Sequence, residues 1–275
     1  MFLRANPIVR ITASSARARH SSLNTENQNL QFCESQFRVY AVPRIPIIED
    51  LTEGPIPLGS NILVEYDPAS QWYNTSVTIA AGWIKSGGVA SYNAYDHSPE
   101  SVRLQLKRLG LDAERLEREE KLRIWDWYTI QMGKKSQEKY AMPSLKVADL
   151  SIDYSRRVIV STRSSDHLRV MDDALVLLRF NDERSFIDFW RTRLVPTTGP
   201  NSNSTALPSV PKGVYPEYIC RTFEVAADGI IDFKLEEEGK ATRDLIRIRS
   251  MRNVHFDREW HELKIGETFE VTLEK

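Results

Sequence analysis

The sequence predicts an α/β three-layer fold, with a mainly parallel central sheet between helices and a small antiparallel addition near the C-terminus. The short apolar run Ile62-Leu63-Val64 is typical of a buried parallel strand, and a helical pattern follows it after a compact loop. Strand-like and helix-like segments then alternate as far as Ala226. Beyond Gly229 the polar and apolar residues alternate strongly, which favours antiparallel strands. Such a fold places its ligand site at the C-terminal ends of the parallel strands.

Composition and charge narrow the class of protein. The chain has 275 residues, of which 41% are hydrophobic, and its formal net charge is -1. A charge near zero provides no basic field for nonspecific nucleic-acid binding. No apolar run approaches the length of a membrane-spanning helix. Cys33 and Cys220 have no Cys or His neighbours at zinc-ligand spacing, so we interpret them as thiols of a reducing cytoplasm and predict a cytoplasmic protein.

The N-terminal segment differs from the rest of the chain. Residues 1–36 are predicted to form a flexible basic leader, and residues 37–275 the folded domain. No acidic residue precedes Glu26, a composition that organellar transit peptides share. Because the hydrophobic patterning here is poor, we favour a flexible tail over a transit peptide. The basic residues of the leader are Arg4, Arg10, Arg17, Arg19 and His20.

Each element of the body is predicted from local pattern. Gly87-Gly88 ends the first helix, and Ser98-Pro99-Glu100 starts the second, with proline at the first helical position. In chain order the predicted elements are strands at Phe37–Val42 and Ile62–Val64, a helix at Thr75–Lys85, a strand at Val89–Tyr95, helices at Ser101–Leu109 and Asp112–Lys121, a strand at Leu122–Trp127, a helix within Asp149–Thr162, a strand at Leu168–Asp173, a helix at Asp182–Leu194, a strand at Ala206–Val210, a helix at Pro216–Ala226, and antiparallel strands at Gly229–Leu235, Leu245–Met251 and Glu267–Leu273.

The stretch Gly59–Thr78 has the strand, loop and helix order of a phosphate-binding loop. Laid on the pattern G-x-x-x-x-G-K-[ST], the loop lacks every diagnostic residue. Tyr66 and Gln71 stand for the glycines, Trp72 for the lysine and Tyr73 for the magnesium-binding hydroxyl. Trp72-Tyr73 is interpreted either as a plug or partner-docking feature, or as packing that fills a vacated cavity. The degenerate loop comprises Tyr66, Asp67, Pro68, Ala69, Ser70, Gln71, Trp72 and Tyr73.

Several further motifs occur in a fixed order along residues 38–275. They are Ile45–Leu51 with Gly54–Ser60, Ser98-Pro99-Glu100, Val170–Asp173, Asp228–Ile231, Ile248–Arg252 and Trp260-His261. In order and spacing they resemble the lead-in, S-P-E, Walker B, D-G-V-I, K-M-R and terminal histidine elements of the KaiC-like branch of the RecA-type P-loop ATPases, found especially in archaea. The resemblance implies a RecA-like fold and an ATP and Mg²⁺ site.

The departures from the family pattern concern the residues that handle phosphate. The resemblance places the water-activating acid pair on Asp96 and His97, so the glutamate base is missing. Asp172 is the retained Walker B acid and a candidate metal residue, or simply a strand-end acid that caps a neighbouring loop. Arg252 falls at the position that reaches toward a neighbour's nucleotide. Loss of the lysine and glycines would weaken nucleotide binding by orders of magnitude, since each lost charge-assisted hydrogen bond removes about 1.5–3 kcal/mol.

We therefore predict a non-catalytic, KaiC-like pseudo-ATPase that acts in regulation or signalling through protein–protein contacts, without a cofactor, as a homo-oligomer or in a partner-dependent state. The first alternative is an ATP-binding protein or weak ATPase with an unorthodox loop, using Mg²⁺ at Asp172 and Arg252 in trans. The second is a DNA-binding relative of recombination mediators, which the neutral net charge disfavours.

Two other groups of residues are weighed as sites. His255 and His261, with Asp257 and Glu259, are too unfavourably spaced for one helical face, so a polar turn is preferred to a metal cluster. Trp125, Trp127 and Tyr128 could stack bases, but aromatic residues in an alternating strand are more often core and edge packing.

Overall fold

The structure is a computed structural model that describes residues 9–10, 40–41, 43–154, 166–199, 202–239 and 241–274. The chain divides into two compact units, Met1–Val42 and Pro43–Lys275. In the first unit, strand β1 (Val9–Arg10) pairs antiparallel with β2 (Tyr40–Ala41). Most of the predicted leader, Cys33, and residues 37–39 of the first predicted strand lie outside the described residues, so the flexibility of the leader stays a prediction.

The second unit is built on a ten-stranded sheet. Its strands are β3 (Ile62–Tyr66), β4 (Val89–Ala94), β5 (Leu122–Asp126), β6 (Tyr140–Ala141), β7 (His167–Met171), β8 (Ser204–Pro211), β9 (Gly229–Glu238), β10 (Ala241–Met251), β11 (His261–Ile265) and β12 (Val271–Leu273). They lie in the order β12-β11-β10-β9-β3-β8-β7-β4-β5-β6. Every pair from β9 to β6 in this order is parallel, and the pairs from β9 to β12 are antiparallel. The predicted fold class is confirmed.

Helices cover both faces of the sheet. They are α1 (Trp72–Lys85), α2 (Pro99–Arg108), α3 (Ala113–Arg118), α4 (Tyr128–Gln131), α5 (Val147–Tyr154), α6 (Glu183–Phe189) and α7 (Glu217–Ala226). The first three pack with Ile62 and Val64 in one hydrophobic core, while α5, α6 and α7 pack with Leu63 in the other. Successive side chains of β3 therefore point into the two cores in turn, as expected for a central strand of a three-layer fold.

Three local predictions need correction. Helix α1 begins at Trp72 rather than Thr75, because its first turn is held by residues of β9 and β10 that are distant in sequence. Strand β9 was predicted to be antiparallel, and it does pair antiparallel with β10, but it also pairs parallel with β3 and so joins the two parts of the sheet. The alternating pattern also missed β11, whose residues are mostly half-buried or exposed.

Other boundaries agree more closely with the sequence. Ser98 caps α2 by accepting a hydrogen bond from Ser101 N at 3.2 Å, with Pro99 at the first helical position. The helix predicted to end at Leu194 is α6 followed by a π-helical turn, Trp190–Leu194. Within the described residues, no helix combines the length and apolar character needed to cross a membrane.

Candidate functional site

The parallel strands bring three loops to one edge of the sheet. Residues 67–71 follow β3, residues 95–98 follow β4, and Asp172-Asp173 follow β7. Because these strands are parallel, their carboxyl ends meet at the same edge. The degenerate loop, Asp96, His97 and Asp172 are therefore neighbours.

The loop between β3 and α1 is tied to the β9–β10 hairpin. Asp67 Oδ2 accepts a hydrogen bond from Leu235 N at 3.1 Å. The Gln71 amide, at the N-cap of α1, donates to Asp244 Oδ1 on β10 at 3.0 Å. A helix N-terminus attracts anions, and here a carboxylate of the chain itself lies against it. Nothing in the sequence around the loop pointed to Asp244, which is distant in sequence.

Trp72 forms the floor of the site. Its side chain is only 2% exposed. The indole ring lies 5.2 Å from the ring of Phe233 and 6.2 Å from that of Tyr66, measured between centroids. The position that the family resemblance assigns to a lysine ammonium is thus an aromatic ring in the hydrophobic core.

Tyr73 and His97 form the next layer. Their rings stack with centroids 3.8 Å apart and planes 16° apart. Burial, and secondarily the Asp172 carboxylate, raises the pKa of Tyr73 to about 12, so its hydroxyl remains protonated near neutral pH. The phenol stands where the resemblance expects an aliphatic hydroxyl that ligates Mg²⁺.

Asp172 caps the loop that follows β4. Its Oδ1 accepts hydrogen bonds from Tyr95 N at 2.7 Å and Asp96 N at 3.2 Å. Its Oδ2 lies 3.3 Å from His97 N and 3.1 Å from His97 Nδ1. Four contacts use most of the acceptor capacity of this buried carboxylate. The described residues contain no group of three or more His, Cys, Asp or Glu side chains arranged to hold a metal ion.

Asp173, which the sequence marked only as the second acid of a pair, is fully buried beside the site. Its carboxylate accepts hydrogen bonds from Tyr215 Oη at 2.6 Å and Leu175 N at 2.9 Å. Burial, opposed by the Tyr215 hydrogen bond, raises the pKa of Asp173 to about 7. Asp173 is therefore a titratable group close to neutrality at the end of β7.

Between these groups lies a cleft of about 250 Å³. Asp96 lines it with an exposed carboxylate. Partial desolvation of that carboxylate raises its pKa, and the negative charge of Asp172 raises it further. Arg179, also exposed, is the cationic residue on this lining. The remaining lining residues are Tyr66, Pro68, Ser70, Trp72, Tyr73, His97, Asp172, Pro211 and Val214.

Arg252 lies apart from the other predicted site residues. Its guanidinium pairs with Asp228 Oδ1 at 3.4 Å, and the Asp228 amide donates to Asn61 O just before β3 begins. Arg252 is thus at the amino edge of the parallel strands, opposite the cleft. The other weighed groups are ordinary: Trp125 and Trp127 are core residues, and His261 Nε2 pairs with Asp257 Oδ2 at 3.3 Å.

A second pocket, of about 300 Å³, lies on the other face of β3. There Arg249 Nη2 lies 2.9 Å from Glu65 Oε2 and 3.0 Å from Glu224 Oε1. Burial and the neighbouring Glu224 raise the pKa of Glu65 to about 7. Asp232 joins this network through Arg249, whose Nη1 is 3.7 Å from Asp232 Oδ1, and Asp232 Oδ2 also lies 3.0 Å from Arg247 Nη2. No sequence motif pointed to this network.

Comparison with known proteins identifies the fold. No protein-family model matches the chain, and no curated protein does. Among solved structures, the chain is similar to a KaiC-like protein from the archaeon Pyrococcus horikoshii, with TM-score 0.65, 18% identity, and coverage of 85% of this chain and 97% of that one.

Two further solved structures agree with this fold. Flagellar accessory protein FlaH from Methanocaldococcus jannaschii matches with TM-score 0.63 and 14% identity over 85% of this chain and 99% of that one. An uncharacterised Pyrococcus horikoshii protein, solved in complex with an unknown peptide, matches with TM-score 0.66 and 14% identity over 80% and 94%. The chain thus has a RecA-type α/β fold. This is the fold of the KaiC-like protein and of FlaH, and it agrees with the fold that the motifs predicted.

Proposed function

We propose that this chain is a non-hydrolysing KaiC-like RecA-fold protein that acts in regulation or signalling through contacts with other proteins. The observation that carries the proposal is the Trp72 side chain, buried against Phe233 and Tyr66 at the position of the phosphate-binding lysine. An indole offers no positive charge to the β- and γ-phosphates, and its ring takes the space that they need.

Two further contacts support the same conclusion. The Asp244 carboxylate on the Gln71 amide repels a phosphate at the start of α1. Asp172, the candidate metal residue, is engaged by backbone amides and His97, so a magnesium ion would have to compete with those hydrogen bonds. The residues of the site therefore do not fit a nucleotide phosphate chain with Mg²⁺, and we propose no hydrolytic step.

The exposed Arg252 at the opposite edge supports action through contacts between proteins. Its side chain is 60% exposed and cannot serve the cleft of its own chain from the amino edge of the sheet. In a head-to-tail assembly it would face a neighbouring molecule. The proposal includes assembly, either as a homo-oligomer or in a complex with another protein. It also includes a cytoplasmic location.

A nucleotide titration tests the proposal. We expect 5 mM Mg-ATP to change the free energy of unfolding by less than about 0.3 kcal/mol, which corresponds to a Kd weaker than about 10 mM. Thermal unfolding, calorimetric titration and phosphate release should all show no effect.

The Trp72→Phe variant is the matched control, because it keeps an aromatic ring in the floor while removing one indole signal. Should Mg-ATP raise the Tm of wild type by several degrees, or quench a fluorescence component that Trp72→Phe lacks, the alternative of an ATP-binding protein is correct. Steeply salt-dependent binding of single-stranded DNA would instead support the recombination-mediator alternative.

A further inference from the structure

The lining of the cleft has the opposite electrostatic character from a phosphate site. Asp96 and Asp172 line it, and the buried Asp173 lies beside it. The cationic residue on the lining is the exposed Arg179, and the His97 ring is already engaged by Asp172. Burial raises the pKa values of Tyr73 and Asp96, and the Asp172 carboxylate raises both further, in keeping with a negative contribution from Asp172 at the cleft.

The walls of the cleft suit a cation as well. Tyr66 and Tyr73 line it with aromatic rings, which attract ammonium and guanidinium groups through their faces. Asp96 presents an exposed carboxylate that accepts no side-chain hydrogen bond from any described residue. A volume of about 250 Å³ is below the roughly 300–1,000 Å³ of pockets that enclose small ligands and cofactors. The cleft is therefore closer in size to a single side chain than to a nucleotide.

Hydrogen-bond donors without acceptors provide an independent indication. Trp72 Nε1, Tyr73 Oη and Ser70 Oγ are all buried atoms of residues that line the cleft, and none has a hydrogen-bond partner within the described part of the chain. Buried donors of this kind are normally satisfied. These donors indicate a ligand that carries hydrogen-bond acceptors, such as the carbonyl oxygens of a peptide backbone, but they do not determine its charge.

We infer that the cleft binds a segment of a partner protein, inserting one Arg or Lys side chain against Asp96 and the rings of Tyr66 and Tyr73 while neighbouring carbonyls of the segment accept from the buried donors. The inference rests on the proposed function, since it assigns the vacated nucleotide cleft to a protein ligand of stated chemistry. The exposed Asp96 carboxylate and the aromatic rings, and not the orphaned donors, select a basic peptide over an anionic ligand.

A pair of short peptides isolates the charge. The probes are acetyl-Gly-Arg-Gly-amide and the same peptide with citrulline, which has nearly the same shape but no charge. Binding is followed by the indole N–H resonance of Trp72, assigned by its loss in Trp72→Phe. We expect a saturable shift with the arginine peptide and at least about tenfold weaker binding of the citrulline peptide.

Two variants of exposed residues sharpen the test. Asp96→Asn should weaken binding of the arginine peptide about tenfold, whereas Arg179→Gln should strengthen it about two- to threefold by removing a like charge from the rim. Thermal unfolding verifies that both variants are folded. Equal binding of the two peptides, absence of saturation, or an unchanged affinity in Asp96→Asn overturns the inference.

The same resonance separates this inference from the proposed function. Saturation by Mg-ATP would overturn the proposed function, whatever the peptides do. Concentration-dependent self-association in sedimentation experiments that Asp96→Asn abolishes would show that a second copy of the chain supplies the cation, which overturns the assignment to a different protein.

Discussion

The side chains on the two faces of strand β3 are stabilised by different kinds of interaction. On one face, Trp72 packs against Tyr66 and Phe233, so an aromatic ring occupies the position where an anion would lie. On the other face, Glu65 meets Arg249 and a network of ion pairs beside an open pocket. Aromatic packing depends on volume and contact area, whereas buried ion pairs depend on protonation and on every partner being present. The two faces should therefore respond differently to the same perturbation.

The largest effect is expected on the aromatic face. Trp72→Ala removes a fully buried indole and should lower the free energy of unfolding by about 3–5 kcal/mol, through lost contact and a residual cavity. Guanidinium denaturation measures the change, with Trp72→Phe as a milder control that keeps the contact with Phe233. A loss below about 1 kcal/mol would show that the ring does not support the fold.

The charged face should be most sensitive to loss of its central cation. Arg249→Met leaves Glu65 and Glu224 without their shared partner, and we expect a loss of about 2–3 kcal/mol, less than for a fully buried pair because Arg249 is 30% exposed. The matched control is Arg221→Met, which removes an exposed partner of Glu224 and should have a much smaller effect. Equal losses in the two variants would contradict the central role of Arg249.

The pH dependence of stability also distinguishes the two regions, through Asp173 beside the cleft and Glu65 in the ion-pair network. The pKa of Asp173 is raised from 3.8 to about 7, so the folded state holds a proton that the unfolded state releases. Stability from this group is fully present below about pH 4 and is lost as the pH rises to about 7, and the part lost between pH 5 and pH 7 is about 2–3 kcal/mol. In Asp173→Asn the loss should shrink, leaving the part due to Glu65, whose pKa is also raised to about 7.

Urea denaturation at pH 5 and pH 8 measures this dependence. Tyr215→Phe should have the opposite effect. It removes a hydrogen bond that favours the charged form of Asp173, so the free energy of unfolding should fall by a larger amount between the two pH values. An unchanged pH dependence in Asp173→Asn would contradict the assignment.

The smallest effect is expected at Tyr73. Its buried hydroxyl has no hydrogen-bond partner in the described chain, so Tyr73→Phe should change the free energy of unfolding by less than about 0.5 kcal/mol or stabilise the protein. Tyr92→Phe is the control, since the Tyr92 hydroxyl lies 2.8 Å from Ser76 Oγ and its loss should cost about 1 kcal/mol. Comparable losses would imply that Tyr73 Oη has an acceptor.

The sequence predicted the parts of this protein that depend on local pattern and order. Apolar runs located most strands, Ser98 and Pro99 marked the start of α2, and the motif order led to the KaiC-like fold. The predicted start of α1 was wrong because Asp244 and Phe233, both remote in sequence, hold the first turn of this helix. For the same reason the sequence could not reveal the pairing of Asp173 with Tyr215 or of Glu65 with Arg249, which depends on how strands are ordered in the sheet.

Asp244 has a consequence for how such a protein can be controlled. A phosphate at the start of α1 comes and goes with the nucleotide supply, but a carboxylate attached to β10 is present in every molecule and cannot be hydrolysed or exchanged. Under the proposed function, this corner is fixed when the chain folds, and the protein would respond to the concentration of a binding partner rather than to the energy charge of the cell.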